Sequence, residues 1–412
     1  MRTKRSKTMA AALLAIGLVG LISTASASPE TDAVVAANNQ FALDFYGQLG
    51  KKDGNLFFSP YCINKTLAMV YAGARGETEK EMAAALHFTL GQDRQHSAFR
   101  DLRSLLNSGQ GSLVNPLKKT KEPELFVATA LWGARGVGFD RDFLGVMRDC
   151  YGAPLQQVDF ADSERARDRI NGWVEEQTRK KIQNLLQPGS IDASTRLVLA
   201  SAIYFKGDWT HPFHKSDTSE ESFWIAPDRK VPAKLMHQLD TFGYFEDEEC
   251  QALRMNYEGK KYALVVFIPK KKNGLPELEK KLNAKHITDI TNRFKDQTVD
   301  VTLPKFKLTG SFELKDALSA LGMRSAFGCR ADFRGMTESR EPLVIGTAVH
   351  KAFVDVNEEG TEAAAATAVV MALGAASPRP HTPVFRADHP FVFTICDART
   401  GLILFLGRVE QP

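Results

Sequence analysis

One stretch constrains this chain more than any other: Val356-Asn357-Glu358-Glu359-Gly360-Thr361-Glu362-Ala363-Ala364-Ala365-Ala366-Thr367-Ala368-Val369-Val370-Met371. Four consecutive alanines favour helix. The Thr and Val residues around them favour strand, and Gly360 interrupts just ahead of both. After Met371, Ala372-Leu373-Gly374-Ala375-Ala376-Ser377-Pro378-Arg379-Pro380-His381-Thr382-Pro383 reads as an exposed loop. A segment of small residues that suits either loop or strand, set between a strand and a long loop, is what a conformational switch requires.

The rest of the chain frames that segment. Its 412 residues, 43% apolar and 25% charged, are ordinary globular composition with room for a sizeable core. A net charge of +4 is too slight to argue for a nucleic-acid partner. Arg2, Lys4, Arg5 and Lys7, the apolar run from Met9 to Ile22, and Ala25-Ser26-Ala27 read as a secretory signal over residues 1–27. The apolar run is short for a membrane anchor, and no cysteine follows closely for lipid attachment. The expected product is an exported protein, secreted or periplasmic. Cys62, Cys150, Cys250, Cys329 and Cys396 are scattered and odd in number, so buried or half-buried free thiols are expected rather than a disulfide framework.

Helical spacing runs through Ala33–Leu49. Ser59 and Pro60 mark a helix start, and that helix extends to about Gly73. Thr78 with Glu81 reads as a capping box opening another helix. Glu124–Trp132 reads as a strand, Arg141–Tyr151 and Ser163–Lys181 as helices, and Arg196–Phe205 as a strand buried on both faces. From Ser222 onward short β-type runs dominate, at 242–245, 262–268, 299–303, 344–356, 389–396 and 402–409. A helix-rich first half and a strand-rich second half without a linker predict one α+β domain with large sheets.

Several blocks, in order, carry a family resemblance. They are Asn55-Leu56-Phe57-Phe58-Ser59-Pro60 with Gly73-Ala74-Arg75-Gly76-Glu77-Thr78; Ser201-Ala202-Ile203-Tyr204-Phe205-Lys206-Gly207-Asp208-Trp209; Leu303-Pro304-Lys305-Phe306; Ala348-Val349-His350-Lys351-Ala352 through Ala366; and the terminal 401–409 segment. The set resembles the serpins, inhibitors of serine proteases, across nearly all of residues 28–412. The resemblance implies a helix-rich α+β fold with three β-sheets. Its five-stranded main sheet accepts an inserted strand from an exposed reactive-centre loop at about 358–384. It also implies a mechanism: a serine protease (in some members a cysteine protease) attacks the loop as a suicide substrate, and the acyl-enzyme is trapped when the loop inserts. About fifteen residues at ~3.3 Å each would make a strand of roughly 50 Å.

Residues carry over one at a time. Glu358, Glu359, Gly360, Thr361, Glu362, Ala363, Ala364, Ala365, Ala366 and Thr367 match the hinge. Strand alternation sends Thr361, Ala363, Ala365, Thr367, Val369 and Met371 to one face, which the resemblance makes the buried one; it holds no charge and no proline. Trp209, Lys206, Lys305 and Glu358 match the top of the sheet, where the loop goes in. Ser59, Cys62, Ser201 and His350 match the mid-sheet cluster that governs opening. Ser201 stands where the family usually has Asn and Cys62 where it usually has Ser, so a weakened or rerouted network is expected.

Counting from Glu358 by the family's usual loop length puts the reactive bond between Gly374 and Ala375; Leu373, Ala376 and Ser377 are the alternatives. Small apolar residues there suit elastase- or subtilisin-like proteases, and Leu373 a chymotrypsin-like one. The partner implied is a target serine protease in covalent complex, with a monomeric inhibitor able to form loop–sheet polymers. No cofactor or metal is implied. Lys118, Lys119 and Lys121 read as solvated surface rather than a polyanion site. No G-x-S-x-G, H-E-x-x-H, P-loop or G-x-G-x-x-G motif supports an enzyme. The remaining alternative is a non-inhibitory carrier, chaperone or storage protein of the same fold, cleaved as a simple substrate.

Overall fold

A computed structural model describes residues 28–108, 122–337, 343–361 and 382–412. The first half carries α1 (Pro29–Leu49), β1 (Leu56–Phe58), α2 (Pro60–Tyr71), α3 (Gly76–Ala85), α4 (Gln92–Asn107), β2 (Glu124–Ala134), α5 (Arg141–Val146), β3 (Gln156–Val158), α6 (Ser163–Gln177) and β4 (Leu197–Asp208). A π-helical turn at Met147–Tyr151 continues α5. The second half is mostly strand: β5 (Thr218–Ala226), β6 (Arg229–Glu246), β7 (Cys250–Asn256), β8 (Tyr262–Pro269), then α7 (Leu275–Lys281) and α8 (Ala284–Thr291), β9 (Lys295–Pro304) and β10 (Phe306–Glu313). It closes with α9 (Lys315–Ala320), β11 (Thr347–Val356), β12 (Gly360–Thr361), β13 (Val384–Arg386), β14 (Phe391–Asp397) and β15 (Ile403–Val409).

The main sheet runs β10-β11-β12-β4-β2-β3, with β11 also paired directly to β4. β4, at its centre, is buried on both faces, which is why it shows no polar alternation, whereas the edge strand β10 alternates buried and exposed residues. Leu197, Leu199, Ile203 and Phe205 pack into the large core shared with α1 to α4 and the second sheet. Val198, Ala200, Ala202 and Tyr204 pack with Ile170 and Val174 of α6 on the other side. The second hydrogen-bonded network runs β1-β15-β14-β8-β7-β6-β9-β13, with β5 on β6. Three sheets were expected. The two networks arise because β6 is long and shared: it pairs with β5 and β9 over most of its length and with β7 only at Gly243–Glu246.

Several local features differ from the sequence expectations. Ser59 caps α2 by accepting the Cys62 N–H at 3.1 Å, with Pro60 in the first turn, but the helix ends at Tyr71. Thr78 and Glu81 form no capping box, since α3 begins earlier, at Gly76. Their oxygens serve another segment instead. Thr78 Oγ1 accepts the Asp332 N–H at 3.0 Å, and Glu81 Oε2 accepts those of Arg324 and Ser325 at 2.8 and 2.6 Å. A carboxylate that caps a distant turn satisfies the same kind of orphan donor as a local cap. All five cysteines are free thiols; Cys329 is exposed, outside the buried or half-buried expectation. No helix among the described residues is long and apolar enough to cross a membrane.

Candidate functional site: the mouth and seam of the main sheet

The site begins where two parallel strands separate. β11 pairs with β4 from Thr347↔Val198 through Phe353↔Tyr204. Above Phe353 a third strand lies between them. β12 runs antiparallel to both, with Gly360 opposite Asp208, and Thr361 opposite Gly207 on one side and Val356 on the other. A tight turn makes this possible: the Asn357 N–H donates to the Gly360 carbonyl at 2.9 Å, and the Glu359 N–H to Asn357 Oδ1 at 3.0 Å. Gly360 has φ +154°, and a Cβ there would meet the Gly207 carbonyl oxygen at 2.1 Å. Only glycine fits that approach.

The turn is anchored from several sides. The Trp209 N–H donates to the Glu359 carbonyl at 2.9 Å and its indole Nε1–H to the Asn357 carbonyl at 3.0 Å. The Phe213 N–H reaches the Glu358 carbonyl at 2.8 Å. The Glu358 carboxylate, 5% exposed, accepts from Lys305 Nζ at 2.7 and 3.0 Å and from Thr218 Oγ1 at 3.0 Å. Burial pushes that carboxyl up, but the Lys305 and Thr218 bonds outweigh it and hold it below the usual range. Lys215 pairs with Glu359 at 2.7 Å. Thr361 is fully buried, its hydroxyl 2.7 Å from the Tyr257 hydroxyl. The Tyr257 ring stacks on Trp209, centroids 4.5 Å apart, and meets Phe205 edge-on at 4.8 Å.

Trp209, Lys305 and Glu358 therefore meet at one place. Lys206 does not join them: on β4 it is the register partner of Glu124 on β2, and strand alternation puts its side chain on the face away from Thr361. Tyr257 and Thr218, which complete the anchor, were not singled out from sequence. No local pattern distinguishes Tyr257 from the other tyrosines among the eight in the chain.

Below the mouth, at the middle of the β4–β11 seam, Ser201 and His350 are register partners. Ser59, Cys62, Ser201 and His350 form one directional chain of hydrogen bonds. The Ser59 N–H donates to His350 Nε2 at 3.0 Å, which fixes the neutral tautomer with the proton on Nδ1. His350 Nδ1–H then donates to Ser201 Oγ at 2.9 Å, Ser201 O–H to Cys62 Sγ at 3.1 Å, and Cys62 S–H to the Ala202 carbonyl at 3.5 Å. Burial pushes the Cys62 thiol up to about 12, so it stays a donor. Ser59 Oγ donates to the Leu404 carbonyl at 2.5 Å, tying α2 to β15. The network is rerouted through sulfur rather than abolished. Replacing Ser201 with Ala would strand the His350 N–H. The expected result is a loss of about 1–3 kcal/mol of stability and faster heat-induced polymer formation, read by urea unfolding and native gels.

Burial also depresses the His350 imidazole to about 3, and the Ser59 N–H aimed at Nε2 opposes its protonation. The unfolded chain takes up that proton near pH 6.5 and the folded one does not until about pH 3. Stability contributed by His350 is thus full above pH 6.5 and falls as pH drops, by about 1.4 kcal/mol per unit. Buried His96, depressed to about 4, acts in the same direction. Unfolding free energies at pH 7, 6 and 5 should decline, and His350→Asn should remove about half the slope between pH 6 and 5.

Glu362, Ala363, Ala364, Ala365, Ala366 and Thr367 of the hinge, and Leu373, Gly374, Ala375, Ala376 and Ser377 around the expected reactive bond, lie outside the described residues. Among the described residues no group of three or more His, Cys, Asp or Glu could hold a metal ion.

A family model described as serpin (serine protease inhibitor) matches residues 36–412. The chain belongs to the serpin family. The pig leukocyte elastase inhibitor is 40% identical over 388 residues, covering 92% of this chain and 99% of the relative. Among solved structures, Serpin48 of the insect Tenebrio molitor superposes with TM-score 0.81 at 31% identity, covering 93% of this chain and all of that one. Uncleaved ovalbumin superposes with TM-score 0.80 at 28% identity, covering 92% of this chain and all of that one. The α+β architecture is the serpin fold.

Proposed function

We propose that this serpin inhibits serine proteases as a suicide substrate, trapping the acyl-enzyme by inserting its cleaved loop between β4 and β11. One observation carries the reading. The first two residues of the inserting segment, Gly360 and Thr361, already lie as a strand between the two that must part. That register extends naturally. Six residues beyond Thr361, Thr367 falls opposite Ser201 on β4 (207 − 6) and His350 on β11 (356 − 6). Ten residues beyond, Met371 falls opposite Leu197 (207 − 10), at the foot of β4. The segment from Gly360 to Met371 thus matches the length of the seam, and it contains neither proline nor an uninterrupted charged face.

On this reading Trp209, Lys305, Glu358 and Tyr257 hold the mouth, and the Ser59–His350–Ser201–Cys62 chain is the latch that insertion must break. Residues 28–412 form the inhibitor, exported after loss of residues 1–27, and act as a monomer toward elastase-, subtilisin- or chymotrypsin-like targets. The test is incubation of the protein, starting at Ser28, with pancreatic elastase, subtilisin, chymotrypsin and trypsin. Denaturing gels and mass spectrometry follow. A band that survives boiling in detergent, at the summed mass less the C-terminal fragment, supports trapping and locates the bond. Quantitative cleavage near Gly374 without such a band for any of the four would favour the non-inhibitory alternative.

A further inference from the structure

A second feature lies beside the mouth and shares Trp209 with it. It is a cleft of about 120 Å³, walled by Trp209, Gly243, Arg254, Asn256, Lys260 and Asp296. Its charges are unevenly met. Arg254 Nη2 is bound to Asp296 Oδ1 at 2.9 Å, but Arg254 Nε is buried without a hydrogen-bond partner. Gly243 makes room for this guanidinium: a Cβ there would come within 2.8 Å of Nε. Lys260 is exposed at the rim, and no carboxylate pairs with it among the described residues. His211, also in the lining, is engaged by Asp240 at 2.8 Å through Nδ1.

We propose that this cleft binds a compact oxyanion of the phosphate or sulfate type, and that its filling braces the hinge through Trp209. A guanidinium N–H left without a partner is completed best by a charged acceptor, and Lys260 supplies the uncompensated positive charge. The volume is about that of four waters and well below that of pockets for drug-sized ligands. This selects a small ion over a nucleotide or sugar. The route to the hinge is short. Trp209 stacks on Tyr257, Tyr257 holds the Thr361 hydroxyl, and the two Trp209 N–H groups hold the carbonyls of Glu359 and Asn357. An ion against Trp209 restricts the residue that holds the Glu359 and Asn357 carbonyls and stacks on the Tyr257 ring. Binding is independent of the inhibitory reading, whereas the bracing of the hinge rests on it.

The test titrates the full chain with sodium phosphate, replacing sodium chloride at constant ionic strength. Tryptophan fluorescence and hydrogen exchange across residues 357–361 are followed. The expected result is a saturable fluorescence change with slowed exchange. Lys260→Gln should weaken phosphate about tenfold, the loss of one charge-assisted contact, and Trp209→Phe should remove the optical signal while thermal stabilisation by phosphate persists. A response no different from chloride, or one undiminished in Lys260→Gln, would mean an adventitious ion only and overturn the site. A saturable signal without slowed exchange would overturn the bracing. Failure to trap any protease in phosphate-free buffer would count against the inhibitory reading and leave the binding result standing.

Discussion

Cutting the loop near Gly374 is expected to raise the melting temperature of this protein by on the order of 10–20 °C. The increase comes from the ladder bonds of the inserted strand. Ten residues, from Glu362 to Met371, would join the two rungs already present on β4 and β11. A new central strand exchanges one row of hydrogen bonds for two. A dozen or so additional bonds at about 1 kcal/mol each, with burial of Thr367, Val369 and Met371 on top, give roughly 10–15 kcal/mol. At about 2 cal/mol/K of unfolding entropy per residue, each kcal/mol is worth about 1 °C in a chain of this length. Scanning calorimetry before and after limited proteolysis decides the matter. Superimposable melting curves would mean that the loop does not insert.

Thr361→Arg is expected to turn the protein from inhibitor into substrate. Thr361 is fully buried between Gly207 and Val356, hydrogen-bonded to Tyr257, in a wall of Phe205, Tyr257 and Trp209 rings. A guanidinium there would meet the Tyr257 phenol oxygen among aromatic rings, and burying an unpaired charge costs several kcal/mol. The hinge is expelled, and insertion, with each 1.4 kcal/mol counting tenfold in rate, slows by on the order of a hundredfold or more. The protease then completes hydrolysis before it can be moved. The ratio of detergent-stable complex to cleaved inhibitor should collapse while the far-UV circular dichroism of the uncut protein stays that of a folded chain. Trapping at the original stoichiometry would remove the register from which all the loop positions are counted.

Much of this was legible in the chain because its cues are local. Ser59-Pro60 announces a helix start by itself, and a strand buried on both faces such as β4 shows its unbroken apolar run. Other parts depend on contacts between segments far apart. Thr78 and Glu81 carry the right spacing for a cap, yet their oxygens serve residues 324–332, and nothing in the spacing says which orphan donor they will meet. α4 escaped notice because its N-cap is Gly91, which has no side chain to cap with, and only Ala98, Phe99, Leu102 and Leu106 mark its apolar face. Tyr257 and Thr218 meet the hinge across more than a hundred residues. Cys62 and Ser201 stood out as departures from the family pattern. The direction in which four hydrogen bonds run through them needed the geometry.

The seam between β4 and β11 also has a meaning in time. In the proposed mechanism two events race after the loop is cut: water reaching the ester that joins it to the protease, and the parting of seven paired rungs from Thr347 to Phe353. Rungs open in order from the mouth, each one released as the incoming strand replaces it, so the slowest rung sets the pace. Counting down from Phe353, the fourth is His350 with Ser201, the one rung fastened by side chains as well as backbone. That pair works as an escapement. Softening it lets the strand run ahead of the water, at the cost of a native state that more readily opens unprompted, while stiffening it gives the protease time to escape.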